Sequence, residues 1–167
     1  KLKLYRYENE KMIEVETLAE GTFSDAIITN LWGSDYCFTT CSSTPEEETS
    51  IQYIYRIDRQ NLIFQLFQKI RFKDKTARNA GDFFKIGNRI YRPAQDCRKN
   101  YGGGIIIHEV FQYSNGEFGF KEVCRLNAKY KNLQLGAHTF NSYKGIFVID
   151  AHGYCNPLLA RIAKLFM

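Results

Sequence analysis

The densest chemistry-bearing stretch of the chain is Arg89-Ile90-Tyr91-Arg92-Pro93-Ala94-Gln95-Asp96-Cys97, followed by Tyr101-Gly102-Gly103-Gly104. Arg92 presents a planar fork of donors suited to a carboxylate or to vicinal sugar hydroxyls. Gln95 and Asp96 can accept or donate in the same place. A structural reading stands beside the functional one: Arg92 pairs with Asp96, and Asp96 caps the turn before Gly102. The glycine triplet lacks the Lys-Ser/Thr of a nucleotide loop, and a strand-like run follows where a helix is needed, so a phosphate loop is rejected. Two further groups stand out. Asp25 follows Phe23-Ser24 at the start of an apolar run, and His138 holds a similar place in Gly136-Ala137-His138-Thr139. Asp25 reads equally as a turn residue, and a lone His is more often a hydrogen-bonded core group than a ligand or base.

These residues need elements to hold them. The chain has 167 residues, 44% hydrophobic, 25% charged and 15% aromatic, with a net charge of +5. That composition is globular and suits about one domain. No apolar run approaches the ~20 residues of a membrane span. The charges are scattered, without the like-charged block of a nucleic-acid arm. Cysteines stand at 37, 41, 97, 124 and 155. The odd count argues against a complete disulfide framework, and no Cys-x-x-Cys pair offers a structural zinc site. Free thiols and no visible signal peptide favour a cytoplasmic location. The chain begins Lys1-Leu2, without Met, which points to processing or to a piece of a longer protein.

Short β-branched and aromatic runs alternate with turn signals almost throughout, which predicts an all-β fold. Examples are Ala26-Ile27-Ile28-Thr29, Ile51-Gln52-Tyr53-Ile54-Tyr55, Gly104-Ile105-Ile106-Ile107-His108 and Ile146-Phe147-Val148-Ile149. One helix is expected, a terminal one over 156–166, with Asn156 as N-cap and Pro157 in its first turn. A hairpin pattern recurs three times, with turn glycines at 33, 87 and 145, spaced by 54 and then 58 residues. Second hairpins lie between, one turning near Asp58-Arg59-Gln60-Asn61 and one at Ser114-Asn115-Gly116. Two hairpins per repeat make four strands, the unit of a β-propeller blade. The expected fold is therefore a β-propeller segment of about three blades, near 20–70, 75–125 and 135–155, with a sandwich or barrel as the rival. A propeller closes with about four blades or more, so blades are missing or chains complete one another.

Tyr91-Arg92-Pro93-Ala94-Gln95-Asp96-Cys97 with Tyr101-Gly102-Gly103, and Gly136-Ala137-His138-Thr139-Phe140-Asn141 before Val148-Ile149-Asp150, resemble a particular propeller domain. It is the N-terminal domain of plant glucosamine inositolphosphorylceramide transferases and related bacterial proteins. That domain is similar to the five-bladed propellers of glycoside hydrolase families 43, 32 and 68. The resemblance implies a funnel that handles carbohydrate, with three carboxylates at the starts of inner strands. It assigns the middle-blade Asp to Asp25 as the candidate catalytic residue. The next copy should offer a general-acid Glu, but that slot holds Arg78 or Asn79, neither of which donates a proton near neutral pH. The first-blade base would fall before Lys1. His138 resembles a late-blade His that faces the central channel, where some members hold a cation or water.

The expectation is a glycoside-hydrolase-like, carbohydrate-binding propeller domain. It would bind a glycan or sugar phosphate through Asp25, Arg78, Arg92, Gln95, Asp96 and His138. No cofactor is expected, with a cation near His138 left as an alternative. Partners are a carbohydrate, no nucleic acid, and either a homo-oligomer or missing blades of the same chain. Two rival functions stand beside this one. One is an active glycoside hydrolase or glycosyltransferase that needs residues outside this chain. The other is a non-catalytic scaffold.

Overall fold

The computed structural model describes residues 1–41, 44–129, 133, 135–153, 156 and 162. Among them the chain is all-β, built of antiparallel sheets. The elements run β1 (Leu2–Glu8), β2 (Lys11–Ala19), β3 (Ser24–Leu31), β4 (Ser34–Thr40), α1 (Pro45–Ser50), β5 (Ile51–Asp58) and β6 (Ile63–Arg71). They continue with β7 (Phe84–Ile86), β8 (Arg89–Gln95), β9 (Ile105–Gln112), β10 (Phe118–Leu126), β11 (Phe140–Tyr143) and β12 (Ile146–Ile149). Two four-stranded meanders, β3-β4-β5-β6 and β7-β8-β9-β10, are flanked by two-stranded hairpins, β1-β2 and β11-β12. The terminal helix expected over 156–166 lies almost wholly outside the described residues. No described helix is long and apolar enough to cross a membrane.

The three repeated hairpins are β3-β4, β7-β8 and β11-β12. Each turns in two residues, at Trp32-Gly33, Gly87-Asn88 and Lys144-Gly145. Trp32, Gly33, Gly87, Lys144 and Gly145 all have positive φ, as turns matched to the twist of a tight hairpin require. The second hairpin of each meander, β5-β6 and β9-β10, has a longer turn.

The two meanders share one core. Leu31, Tyr36, Phe38 and Ile54 of the first meet Ile90, Val110 and Phe118 of the second. Phe118 sits at its centre, with ring centroids 4.9 Å from Tyr36, 5.3 Å from Phe38, 5.8 Å from Phe67 and 5.6 Å from Trp32. The side-chain amide of Gln68 fastens the outer strands beside it. Its Nε2 donates to the Phe118 carbonyl at 3.2 Å, and its Oε1 accepts from the Phe118 amide at 2.8 Å. The second meander has a core on its other face too, where Ile105 and Ile107 meet Ala80, Ala137 and Phe140. A strand covered on both faces loses the alternation of apolar and polar residues, which explains the unbroken Ile105-Ile106-Ile107.

Phe118 is 2% exposed and bridges both meanders. Phe118→Ala should therefore cost about 3–5 kcal/mol, the usual range for emptying a buried aromatic site. The change is to be read from the urea unfolding midpoint at constant m-value.

Candidate functional site

Several of the residues singled out from sequence lie near the starts of β3, β7 and β11. Their placement starts with Thr76–Ala80, which lies along β8. Ala80 N donates to the Pro93 carbonyl at 3.0 Å, and Gln95 N donates to the Arg78 carbonyl at 2.9 Å. The same segment is tied to α1 through Ala77 N and the Thr49 carbonyl, at 2.9 Å. This anchoring aims Arg78 and Asn79 at the first meander.

Asn79 is a four-way joint. Its Nδ2 donates to the carbonyls of Asp25 at 2.7 Å and Phe38 at 2.8 Å. Its Oδ1 accepts from Gln52 Nε2 and from Arg92 Nε, both at 2.8 Å. That uses the full capacity of the amide.

Arg92 is fully buried, at 0% exposure. Besides Asn79, its Nη1 donates to the Thr76 carbonyl at 3.3 Å, and its Nη2 donates to the Ala77 carbonyl. The guanidinium carbon stands 5.3 Å from the Phe72 ring centroid and 5.4 Å from that of Phe120. A second contact of Nη1 is with His108 Nδ1, at 3.3 Å. Arginine only donates, so Nδ1 is the acceptor and the imidazole proton sits on Nε2. Burial first, and Arg92 second, push the His108 pKa down to about 3. Burial likewise pushes Arg92 below its usual value.

Asp96 does not pair with Arg92. Its carboxylate takes a bidentate contact from Arg98, with Nε to Oδ1 at 2.7 Å. Burial alone would raise Asp96, but the Arg98 contacts outweigh it and hold the carboxyl below its usual value. Gln95 is 3% exposed, and its Nε2 donates to Asp25 Oδ2 at 3.2 Å and to the Asn79 carbonyl at 3.1 Å. Arg92 and Gln95 thus face protein, where a ligand does not reach them.

The groups nearer solvent form a second layer. Asp25 sits at φ +50, beside a register shift between β3 and β4. A bulge of this kind re-aims a side chain, and Asp tolerates the left-handed region better than most residues. The Asp25 carboxylate accepts from Arg78 Nε at 2.7 Å. Arg78 Nη1 pairs with Glu48 Oε1 of α1, also at 2.7 Å. One guanidinium thus spans two carboxylates. The Arg78 guanidinium carbon lies 4.8 Å from the Tyr101 ring centroid, and the Tyr101 and His138 rings meet edge to face at 6.0 Å. Tyr101 is held there by close backbone approach. A Cβ on Gly102 would come within 3.0 Å of the His138 Cβ, and one on Gly136 within 1.9 Å of the Gly102 carbonyl oxygen.

His138 Nδ1 abuts the Asp150 carboxylate without the alignment of a hydrogen bond. Asp150 Oδ1 also accepts the backbone amides of His138 at 2.8 Å and Thr139 at 2.7 Å. Burial works to raise the Asp150 pKa, and these donors outweigh it and hold the carboxyl low. Among the described residues no group of three His, Cys, Asp or Glu stands close enough to hold a metal ion.

The structure therefore brings Asp25, Arg78 and Gln95 into direct contact and reaches His138 through Tyr101. Arg92 joins through Asn79, while Asp96 stands apart with Arg98. Strand periodicity passes over two members, Glu48 and Tyr101. The signal for Glu48 is Thr44-Pro45-Glu46-Glu47-Glu48, an N-cap followed by Pro and an acidic first turn. In the structure the Thr44 side chain accepts from Glu47 N.

His108 makes stability pH-dependent. Its folded pKa of about 3 lies below the ordinary 6.5. Above pH 6.5 both folded and unfolded states leave it neutral. Between there and about 3 only the unfolded chain takes the proton, so stability falls as pH drops, by up to ~1.4 kcal/mol per unit. His108→Gln keeps an acceptor for Arg92 and removes the proton site. Its stability, followed by urea unfolding from pH 7 to 4, should fall less steeply than that of the parent chain.

No family model, curated protein or solved structure matches the chain.

Proposed function

We propose that this chain is a propeller-type module that recognises a carbohydrate on the surface formed by Asp25, Glu48, Arg78, Tyr101 and His138. The observation that carries the reading is Tyr101, 54% exposed and seated between Arg78 and His138 beside two carboxylates. An aromatic face takes the C–H face of a pyranose. Carboxylates and a guanidinium beside it take vicinal hydroxyls with directed hydrogen bonds. The face-to-face stacking of four-stranded meanders, each opening with the same tight hairpin, supports the blade interpretation. The resemblance to five-bladed carbohydrate-handling propellers points the same way.

The charge balance selects the sugar class. Arg78 is already compensated by Asp25 and Glu48, which leaves the immediate cluster with excess negative charge. A neutral glycan suits it better than a sugar phosphate. Binding without cleavage is the favoured activity. The slot of the usual general acid holds Arg78 or Asn79, and both are engaged between the meanders. The buried set of Arg92, Asn79 and His108 supports a scaffolding role at the same place, as the lock between sheets rather than as ligand contacts.

A panel of neutral oligosaccharides titrated into isotope-labelled protein should shift the amide signals of Tyr101 and His138. Tyr101→Ala should weaken that binding about tenfold, as loss of ~1.4 kcal/mol would. Its unfolding midpoint should stay close to that of the parent, because the side chain is largely exposed. Unchanged binding in Tyr101→Ala, or shifts confined to other residues, would remove this surface as the site.

A further inference from the structure

Trp32 stands where the backbone does not favour it. The hairpins β1-β2, β3-β4, β7-β8 and β11-β12 each turn in two residues, and the first of the two is Asn9, Trp32, Gly87 or Lys144. All four have positive φ, +48 at Trp32. That conformation suits Gly and Asn, and a bulky side chain in it is strained. An Asn-Gly pair would serve this turn better than Trp32-Gly33. Core filling does not account for the indole either. Its ring meets Phe118, with centroids 5.6 Å apart, yet the residue stays 48% exposed.

Trp32 lines a cleft of about 390 Å³ between its own turn and the Gly87-Asn88 turn of the second meander. That volume is in the range of ligand clefts, roughly 300–1,000 Å³. Ile90 also lines it, so the cleft reaches down to the shared core. A Cβ on Gly33 or on Gly87 would meet nothing within 4 Å, so the space beside both turns is open. Lys85 pairs with Ile90 across β7-β8, so the two side chains share the face turned toward the first meander. Among the described residues Lys85 has no ion pair and the Asn88 amide has no partner. Asn30, on the other side, gives its Nδ2 to Asp35 Oδ1 at 3.0 Å and keeps its Oδ1. The Asp35 charge is met by Arg59. Lys85 is therefore the uncompensated charge of the cleft.

We propose that this cleft is a second binding site, and that it takes an acidic sugar, a pyranose carrying one carboxylate. The indole offers an apolar platform for the C–H face of the ring. An amide both donates and accepts, as a hydroxyl does, so Asn88 and Asn30 match ring hydroxyls. The Lys85 ammonium is a point charge for the one carboxylate. The site is separate from the Tyr101 surface and does not rest on it. Asp25 stands at the start of β3 and Trp32 just past its end, so roughly 20 Å of extended strand lies between them. The charge also has the opposite sign. The Arg78 cluster carries excess negative charge, and this cleft carries excess positive charge.

The probes are glucuronate and galacturonate, their neutral counterparts glucose and galactose, and inorganic phosphate, each titrated into isotope-labelled protein. The uronates should shift the backbone amide signals of Gly33, Gly87 and Asn88 and leave that of Tyr101 in place. They should bind about tenfold more tightly than either the neutral sugars or phosphate. Trp32→Asn gives the turn the pair its conformation prefers, so the hairpin is kept while uronate affinity should fall about tenfold. Lys85→Gln should bring uronates and neutral sugars to the same affinity. Lys85 is exposed, so this variant carries the test even where Trp32→Asn fails to fold. Tyr101→Ala should leave uronate binding unchanged. No shift at the two turns at the highest soluble probe concentration overturns the proposal. So does a neutral sugar or phosphate that binds as tightly as the uronates, or a folded Trp32→Asn or Lys85→Gln variant that binds them like the parent chain.

Discussion

Arg92 places a guanidinium where water does not reach it, and among the described residues no carboxylate contacts it directly. A buried cation is tolerated only where its donors are met and the field around it is favourable. Here peptide carbonyls of residues 76 and 77, the Asn79 amide oxygen, the His108 ring nitrogen and two phenylalanine faces supply that field. The requirement spreads outward. Residues 76–79 must run along β8 for their carbonyls to face the cation. Asn79 must present its oxygen to Arg92, which turns its amide nitrogen toward the carbonyls of the first meander. His108 must stay neutral. Removing any one partner strands a polar group in a site without solvent, so the cluster disfavours any other register between the meanders.

The solvent-facing layer inherits its geometry from that lock. Arg78 neighbours Asn79 in the chain, so the anchoring of one sets the position of the other. Its pairing with Asp25 and Glu48 draws both carboxylates to one place, although 53 residues separate Asp25 from Arg78. Tyr101 reaches the same place from a different loop, carried by the tight approach of Gly102 to the segment before β11. The candidate site is therefore assembled from the start of β3, from α1 and from the loops that carry Arg78, Tyr101 and His138, around a buried charge, without help from any single motif.

That assembly explains which parts were legible in the sequence. Hairpins are local, and turn chemistry marks them. Asn115-Gly116 and the glycines at 33, 87 and 145 lie at turns that the structure contains. The all-β class follows from the same signals. Arg92, Gln95 and Asp96 draw notice by type and spacing, but whether each meets solvent or protein depends on chain segments far away in sequence. Arg92 and Asp96, four residues apart, have separate partners for that reason. Asn79 enters the sequence argument only as a residue that cannot serve as an acid, yet it is the joint between the meanders. Glu48 lies on a six-residue helix, too short to show a periodicity, and only its capping pattern betrays it.

Trp32 gives the molecule one optical property. It is the single indole of the chain, and its ring rests on Phe118 at the seam between the meanders. Tryptophan emission from the whole protein therefore comes from one place. Its colour and intensity follow the separation of the two sheets there, undiluted by other indoles. The molecule carries its own gauge of whether that seam is shut.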